Sequence, residues 1–306
     1  PQNAEKPKTK IDKIMPKGEN SVAVINLEGV ITSASATNIF DEDSPAVAAL
    51  EAVKKAEEDV SVKGILLCIN SPGGTVGMSQ RLYNEVMKAR KIKPVVAVMS
   101  DVAASGGYYV ASAADRIVAL PGTMTGSIGV IMSTMDYHKL LTEKLAVNEN
   151  VIKSGKYKDM GSSTRPMTPE ERALLQEMVN DSYAQFKDAI TKGRIERNDN
   201  YDAQKVELTA TNLDKYADGR VFTGNQAVKY GFVDSTGGMD AAKDMMTKMV
   251  TKKVNLPENT KLNYDTDFSK TPNFLKFFNM QSKTNVLDEV LPKSMKYSKK
   301  PLYLWE

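Results

Sequence analysis

Residues 70–74 read Asn-Ser-Pro-Gly-Gly and follow an apolar run typical of a buried strand. Two consecutive glycines let the backbone approach a ligand closely and turn its N–H groups outward. Such N–H groups can stabilise the oxyanion that forms when a nucleophile attacks a carbonyl carbon. Taken by itself, the segment is explained at least as well by a strand-to-helix turn that requires glycine torsions.

A second glycine-rich segment, residues 103–109 (Ala-Ala-Ser-Gly-Gly-Tyr-Tyr), also follows an apolar run. Ser105 stands among small residues where a strand would end and a helix begin. Its hydroxyl is therefore approachable, and the helix N-terminus can stabilise negative charge beside it. The arrangement follows the logic of a nucleophile elbow, although the G-x-S-x-G pattern is absent. A helix cap followed by packing glycines is the alternative.

A serine nucleophile needs a base, and the sequence offers two kinds of candidate. Its single histidine, His138, lies two residues from Asp136, a spacing at which side chains on a helix do not face each other, so a surface or capping role suits it better. The loop at residues 153–161 carries Lys156 and Lys158. A lysine amine, with an ordinary pKa of about 10.4, acts as a base near neutral pH only when it is desolvated or close to other cations. Solvated surface charges are the alternative for these lysines.

The composition excludes several classes of protein. Apolar residues make up 41% and charged residues 26% of the 306 residues, which is ordinary for a globular protein. The formal net charge is only +3, so no nucleic acid is expected as a partner. One cysteine, Cys68, and one histidine exclude an intramolecular disulfide, a thiolate metal cluster and a His-rich metal site.

The elements that must position these residues alternate between apolar and amphipathic segments, which predicts βαβ units around a parallel sheet. Predicted strands occupy residues 22–27, 64–70 and 94–99, and predicted helices occupy residues 44–58, 76–89 and 105–114. Shorter apolar runs follow at residues 117–120, 128–132 and 147–152. A capping box at Thr168 predicts a long helix to about residue 196. Residues 213–250 predict a short helix, a strand near residues 232–233 and a last helix after Gly238.

Three regions are predicted along the chain. Residues 1–20 are polar and lysine-rich and predict a linker, residues 21–254 predict one α/β domain, and residues 255–306 predict a C-terminal extension. The end of the extension mixes cations with aromatics, which suits a membrane interface or a neighbouring protomer. No apolar run approaches the ~20 residues of a membrane span. Because the chain begins at Pro1 rather than Met, we expect that a preceding segment with a membrane anchor is missing.

Taken together, these segments resemble the signal peptide peptidase A (SppA) family in its short, single-repeat form from Gram-positive bacteria. The resemblance covers about residues 20–250. The stretches that carry it occur in order at residues 24–29, 70–74, 103–109, 125–129, 154–160 and 217–224. It implies an α/β protein with a ClpP/crotonase-like fold, stacked βαβ units, a parallel central sheet and a C-terminal helical extension.

Carried over residue by residue, the resemblance implies a serine endopeptidase with a Ser/Lys dyad. Ser105 matches the nucleophile, and Lys158 matches the general base because it stands in the Lys-Asp pair of the matching stretch. Ser127 matches a serine whose hydroxyl positions that lysine. Gly74 and Gly106 match the backbone donors of the oxyanion hole. The resemblance implies no metal and no cofactor.

The resemblance also implies partners and a location. The substrates would be remnant signal peptides and other short membrane-associated peptides. The chain would form a dome-shaped homo-oligomer, such as an octamer, in which neighbouring protomers complete each active site. An N-terminal anchor would hold the catalytic domain at the extracytoplasmic face of the cell membrane.

Two other functions stay open on the sequence. A crotonase-type acyl-CoA enzyme would share the fold and the backbone donors, but it usually employs carboxylates as acid and base, where this sequence has Ser105 and Lys158. A non-catalytic, membrane-associated scaffold could keep the fold, although the intact serine and lysine argue against it. Labelling by a fluorophosphonate requires an activated serine and binding of CoA requires the acyl-CoA site, so these two assays separate the alternatives.

Overall fold

The computed structural model describes residues 20–33, 44–196, 207–257, 260–266 and 268. Over these residues the chain forms one mixed sheet with helices on both faces. The strands are β1 (Ser21–Glu28), β2 (Val62–Ser71), β3 (Val95–Ala104), β4 (Arg116–Ala119), β5 (Met124–Gly126), β6 (Val221–Thr223), β7 (Ser235–Thr236) and β8 (Asn263–Asp265). The helices are α1 (Pro45–Glu58), α2 (Val76–Ile92), α3 (Gly106–Ala111), α4 (Pro169–Ile190), α5 (Ala210–Tyr216), α6 (Gly224–Tyr230) and α7 (Met239–Val254). Short π-helical turns occupy Leu140–Lys144 and Thr191–Ile195.

The sheet has the order β6-β5-β3-β2-β1-β8, with β4 beside β3 and β7 beside β4. Strand β3 changes neighbour along its length, because Val96–Met99 pairs with β4 and Val102–Ala104 pairs with β5. All pairs are parallel except the antiparallel pair of β5 and β6. The predicted α/β class with a parallel central sheet is therefore confirmed, with an antiparallel pair added at one edge.

Two apolar layers hold the helices on the sheet. On one face, α1, α2 and α3 pack with residues such as Leu50, Leu82 and Tyr108 against alternate residues of β1, β2 and β3. On the other face, α7 places Met246 and Val250 on the remaining side chains of these strands. Because both faces are covered, each central strand contains a continuous apolar run rather than an alternating pattern.

Local sequence signals predict the helix ends well. The Ser44 side chain accepts a hydrogen bond from the Val47 amide at 3.3 Å and caps α1 at the predicted position. The predicted capping box of α4 is present, since Thr168 and Glu171 each bond the other's backbone. Helix α3, however, ends at Ala111 rather than at residue 114, because the chain then turns directly into β4.

The strand predicted near residues 232–233 is present as β7, but it lies slightly later in the chain. Phe232 and Val233 are buried but lie between elements, and β7 follows them at Ser235–Thr236. Phe232 is buried because its ring packs against Tyr108, whose hydroxyl donates to the Phe232 carbonyl at 2.9 Å. These two residues are apolar because a loop contributes them to the core. A short apolar run in the sequence does not distinguish such a loop from a buried strand.

The described part of the predicted C-terminal extension is a strand rather than a helix. Asn263–Asp265 forms β8, which pairs in parallel with the start of β1. A three-residue strand has too few positions to show a pattern in the sequence, and its partner decides its conformation. Residues 269–306 and the predicted linker at residues 1–19 lie outside the described residues. None of the described helices has the length and apolar content needed to cross a bilayer.

Candidate active site

Ser105 occupies a sharp turn between β3 and α3. Its backbone φ is +52°, in the left-handed region that costs a non-glycine residue about 1–2 kcal/mol. The turn is held on both sides, because the Ser105 amide donates to the Gly126 carbonyl and the Tyr109 amide donates to the Ser105 carbonyl, each at 2.9 Å. The half-buried side chain of Ser105 lines a cleft at this turn. Strain that is maintained by surrounding bonds is typical of a functional elbow.

The glycine pair predicted as an oxyanion element lies directly against this elbow. Gly73 has a φ of +103°, and a Cβ there would lie 2.7 Å from the Gly106 nitrogen and 2.9 Å from the Ser105 Cβ. The turn is fixed from outside, because the Ile31 amide donates to the Gly73 carbonyl at 2.9 Å. Only a residue without a side chain allows this approach.

The two predicted oxyanion donors lie close together. A Cβ on Gly106 would lie 3.2 Å from the Gly74 nitrogen, and both glycines line the cleft beside Ser105. Neither amide donates to another group within the described residues. Two N–H groups without internal acceptors, next to a serine, can stabilise negative charge that develops on a carbonyl oxygen.

Ser127 lines the same cleft. It too has a left-handed backbone, with a φ of +49°, and it follows Gly126 with a φ of +83°. Its amide donates to the Arg220 carbonyl at 2.7 Å, while the preceding carbonyl of Gly126 accepts from Ser105. The turn that carries Ser127 is thus bonded both to the elbow and to the chain before β6.

The cleft has a volume of about 330 Å³, and its lining combines apolar side chains with polar groups. Its apolar walls are formed by Val76, Tyr109, Val130, Ile131 and Phe186. Ser79 and Ser182 add hydroxyl groups. A cleft with these walls and backbone donors beside a serine suits a peptide with small or apolar side chains.

The structure does not bring Lys158 into this cleft. Its side chain is exposed and is absent from the lining, and its amine has no hydrogen-bond partner among the described residues. The Lys158 amide donates to the Gly155 carbonyl at 3.1 Å, which places the lysine in a tight turn. Ser105, Gly106, Gly74 and Ser127 are therefore assembled within one chain, whereas Lys158 lies apart from them.

The other candidate bases also lie outside the cleft lining. His138 Nδ1 is 3.1 Å from the Thr164 carbonyl, and the His138 amide donates to the Asp136 carboxylate at 2.8 Å, so the histidine supports the fold of its own loop. The Lys156 amine lies 5.1 Å from the centre of the Tyr157 ring, and both side chains are exposed. Neither residue is better placed than Lys158 to act on Ser105.

Some residues of the cleft carry no signal in the sequence. Ser79, four residues after Thr75 in the first turn of α2, is buried, and a Cβ on Gly106 would lie 2.4 Å from its Oγ. Phe186 lies in the second half of α4, a helix that the capping box at Thr168 predicts without indicating which residues meet the cleft. Ser79 reaches the site because α2 lies beside Gly106, and Phe186 reaches it because its ring packs on Tyr109 of α3, contacts that no local pattern reveals. Within the described ranges, no group of three or more His, Cys, Asp or Glu side chains could hold a metal ion.

Comparison with known proteins places these residues in a sequence family. The profile of peptidase family S49 matches residues 87–255, more than half of the chain, and the match includes Ser105, Ser127 and Lys158.

Three relatives show the same similarity. The chain is 38% identical to a candidate signal peptide peptidase SppA of Enterococcus faecium over 74% of this chain and 63% of that protein. It is 43% identical to a candidate protease of Methanocaldococcus jannaschii over 59% of this chain and 54% of that protein. It is 34% identical to the chloroplastic serine protease SPPA of Arabidopsis thaliana over 80% of this chain and 34% of that protein. The matched part thus spans less than two thirds of each relative's length.

Proposed function

The chain belongs to peptidase family S49, and we propose that it is a serine endopeptidase with Ser105 as nucleophile and Lys158 as general base. The observation that carries this proposal is the strained elbow that presents Ser105 beside the Gly74 and Gly106 amides, which donate to no other group in the described part of the chain. We propose short peptides, in particular remnant signal peptides, as the substrates. The apolar walls of the cleft support that choice.

In the proposed reaction, Ser105 Oγ attacks a peptide carbonyl carbon while the neutral amine of Lys158 takes the hydroxyl proton. The carbonyl oxygen becomes an oxyanion and accepts hydrogen bonds from the Gly74 and Gly106 amides. The protonated lysine then donates its proton to the leaving amine as the peptide bond breaks. Water, deprotonated by Lys158, hydrolyses the acyl ester and restores Ser105. In this scheme the Ser127 hydroxyl holds the lysine in position.

We further propose that Lys158 acts on Ser105 of a neighbouring protomer in a homo-oligomer. Lys158 lies outside the cleft of its own chain, which supports this arrangement. The segment between β5 and α4 that carries the lysine also exposes large apolar side chains. The exposed set includes Ile131, Met135, Leu140, Leu145 and Ile152. Apolar side chains exposed in such number indicate a surface that another copy covers.

Helix α4 supports the same arrangement. Its apolar stripe is buried at Phe186 and Ile190, but Leu175 and Val179 are only half-buried and Met178 is exposed. The first half of the helix therefore has an apolar face that its own chain does not cover. A dome-shaped assembly held by an N-terminal anchor at the extracytoplasmic face of the membrane would account for the lysine-rich residues 1–20.

The acyl-CoA alternative is less well supported. An enzyme of that kind usually needs carboxylates near the oxyanion donors, and no Asp or Glu is among the described residues that line the cleft. The strained backbone of Ser105 beside the Gly74 and Gly106 amides argues against a non-catalytic scaffold, because a scaffold does not require it.

The test is hydrolysis of a fluorogenic peptide by the wild type, Ser105→Ala and Lys158→Ala across pH. Both variants are expected to be inactive and to keep the oligomeric state of the wild type. Mixing the two inactive variants under conditions of subunit exchange should restore activity, because a mixed oligomer contains intact Ser105 next to an intact Lys158. Full activity of Lys158→Ala would exclude the dyad. Two inactive variants that do not complement each other would place the dyad within one chain.

A further inference from the structure

The loop that carries Lys158 is tied to the start of α4 by a relay of ion pairs. Arg165 lies at its centre, six residues after Asp159 and six before Glu171. Its Nε and Nη2 donate to the two carboxylate oxygens of Asp159 at 2.9 and 2.7 Å. Its Nη1 and Nη2 donate to the two carboxylate oxygens of Glu171. One guanidinium thus forms two bidentate pairs, which only the planar fork of arginine permits.

Each carboxylate is also bonded on its other side. Glu171 Oε2 accepts from the Thr168 amide at 2.9 Å as part of the capping box of α4, and the residue is only 2% exposed. Asp159 Oδ1 accepts from the Lys153 amine at 2.6 Å. Arg165 therefore connects a buried helix terminus to both ends of the loop from Lys153 to Asp159.

Lys158 is the residue directly before Asp159 and lies inside this loop. The backbone around it folds into successive turns, in which the Lys158 amide bonds the Gly155 carbonyl at 3.1 Å and the Met160 amide bonds the Tyr157 carbonyl at 3.0 Å. Such turns are too short to fix their own direction relative to the sheet. The ion pairs fix that direction, because they attach the loop to α4. Helix α4 in turn packs through Phe186 on Tyr109 of α3, the helix that follows Ser105.

We propose that Arg165 is a positioning residue for catalysis. It holds the Lys158 loop against the capping box of α4, so that the Lys158 amine has a fixed position relative to Ser105 of the active site that this lysine completes. This inference rests on the proposed role of Lys158. Arg165 itself is not among the described residues that line the cleft. The Arg165 guanidinium and the Lys153 amine together balance the two carboxylates, so the loop is held without an uncompensated charge beside the base.

The test compares Arg165→Met with Lys187→Met. The control removes a cation of α4 that pairs with Asp214 at 2.6 Å outside the cleft. Arg165→Met is expected to lower kcat by about 100-fold, the loss that a displacement of about 1 Å can cause, with KM within about twofold because the cleft lining is unchanged. Hydrogen exchange at residues 153–162 should become faster. Lys187→Met should alter neither kcat nor exchange in that segment.

Arg165→Lys keeps the charge but cannot form both bidentate pairs, so it should not restore kcat. If Arg165→Met does not fold or assemble, Asp159→Asn removes one pair with an isosteric side chain and should give the same changes. Faster exchange with unchanged kcat would overturn the positioning role, and so would a fall in kcat without faster exchange. Full activity of Lys158→Ala would instead refute the dyad, and the exchange data would still report whether Arg165 holds the loop.

Discussion

The amide of Ser105 donates to the carbonyl of Gly126 at 2.9 Å, so the elbow of the candidate nucleophile is bonded to the turn that presents Ser127. Both serines have left-handed backbones, with φ values of +52° and +49°. Each conformation is unfavourable for an isolated residue, and the hydrogen bond that joins the turns maintains both. The two hydroxyls therefore lie in one rigid unit at the end of β3.

Gly73→Ala is expected to abolish peptidase activity. The new Cβ would lie 2.7 Å from the Gly106 nitrogen and 2.9 Å from the Ser105 Cβ, so the elbow must shift, and the backbone φ of +103° adds strain. Gly77→Ala is the matched control, because Gly77 lies in the first turn of α2 with no atom within 4 Å of its Cβ position. The control should keep full activity and gain about 0.5–1 kcal/mol in the free energy of unfolding. Activity in Gly73→Ala would show that the loop adapts.

Ser127→Gly and Ser127→Ala should separate the hydroxyl from the backbone of Ser127. Both variants lose the hydroxyl proposed to position the lysine, so both should lose activity. Ser127→Gly should also raise the free energy of unfolding by about 1 kcal/mol, because glycine adopts a φ of +49° without strain. Urea unfolding and peptide hydrolysis measure the two effects. Activity retained in Ser127→Ala would remove Ser127 from the mechanism.

Glu171 should stabilise the protein at neutral pH and not in strong acid. The Arg165 guanidinium, with the Thr168 amide, lowers the pKa of the Glu171 carboxyl from 4.5 to about 2. A carboxyl with a lowered folded-state pKa contributes stability above its unfolded pKa, and that contribution is lost as pH falls through the folded value. The Tm difference between wild type and Glu171→Gln should therefore be largest above pH ~5 and shrink toward pH ~2. A constant difference would contradict this assignment.

Cys68 should be a poor nucleophile in the folded protein. Burial, followed by the negative charge of Glu28, raises the pKa of the Cys68 thiol to about 11. At pH 8 the thiolate is then about 100-fold scarcer than for an ordinary thiol, so alkylation by iodoacetamide should be slower by a similar factor in the native state than in urea. Cys68→Ala should keep full peptidase activity. Equal alkylation rates in the two states would show that the thiol is accessible and ionised.

Asp234→Asn should destabilise the fold strongly. The Asp234 carboxylate accepts hydrogen bonds from Arg194 Nη2 and from the Ile117 amide, each at 2.7 Å, and both charged side chains are almost fully buried. Removing one partner of a buried pair costs about 3–5 kcal/mol in the free energy of unfolding, and Arg116 Nε, 3.9 Å from Asp234 Oδ1, would lose the same counter-charge. Asp188→Asn breaks a pair with Lys192 in which both side chains are 57% exposed, and should cost less than about 1 kcal/mol. Similar losses in urea unfolding would refute the distinction.

Helix ends and the main strands were predictable because their signals are local. Ser44 caps α1 and Thr168 caps α4 through bonds that reach only three residues along the chain. The strands β1 to β3 contain the continuous apolar runs 22–25, 65–69 and 95–99 because both faces of the sheet are covered. By contrast, β5, β6 and β8 are three residues long, and their partners on other parts of the chain determine that they pair at all.

The same division applies to the site. By itself, the sequence determined that Ser105 stands at a strand end among small residues and that Gly73 and Gly74 give a turn of unusual torsions, because both properties depend on neighbours in the chain. Only the tertiary structure decided that these two segments touch, that Ser127 joins them and that Lys158 lies apart on a loop held by Arg165. Contacts between segments depend on how the sheet orders its strands, and that order results from packing over the whole domain rather than from any short pattern.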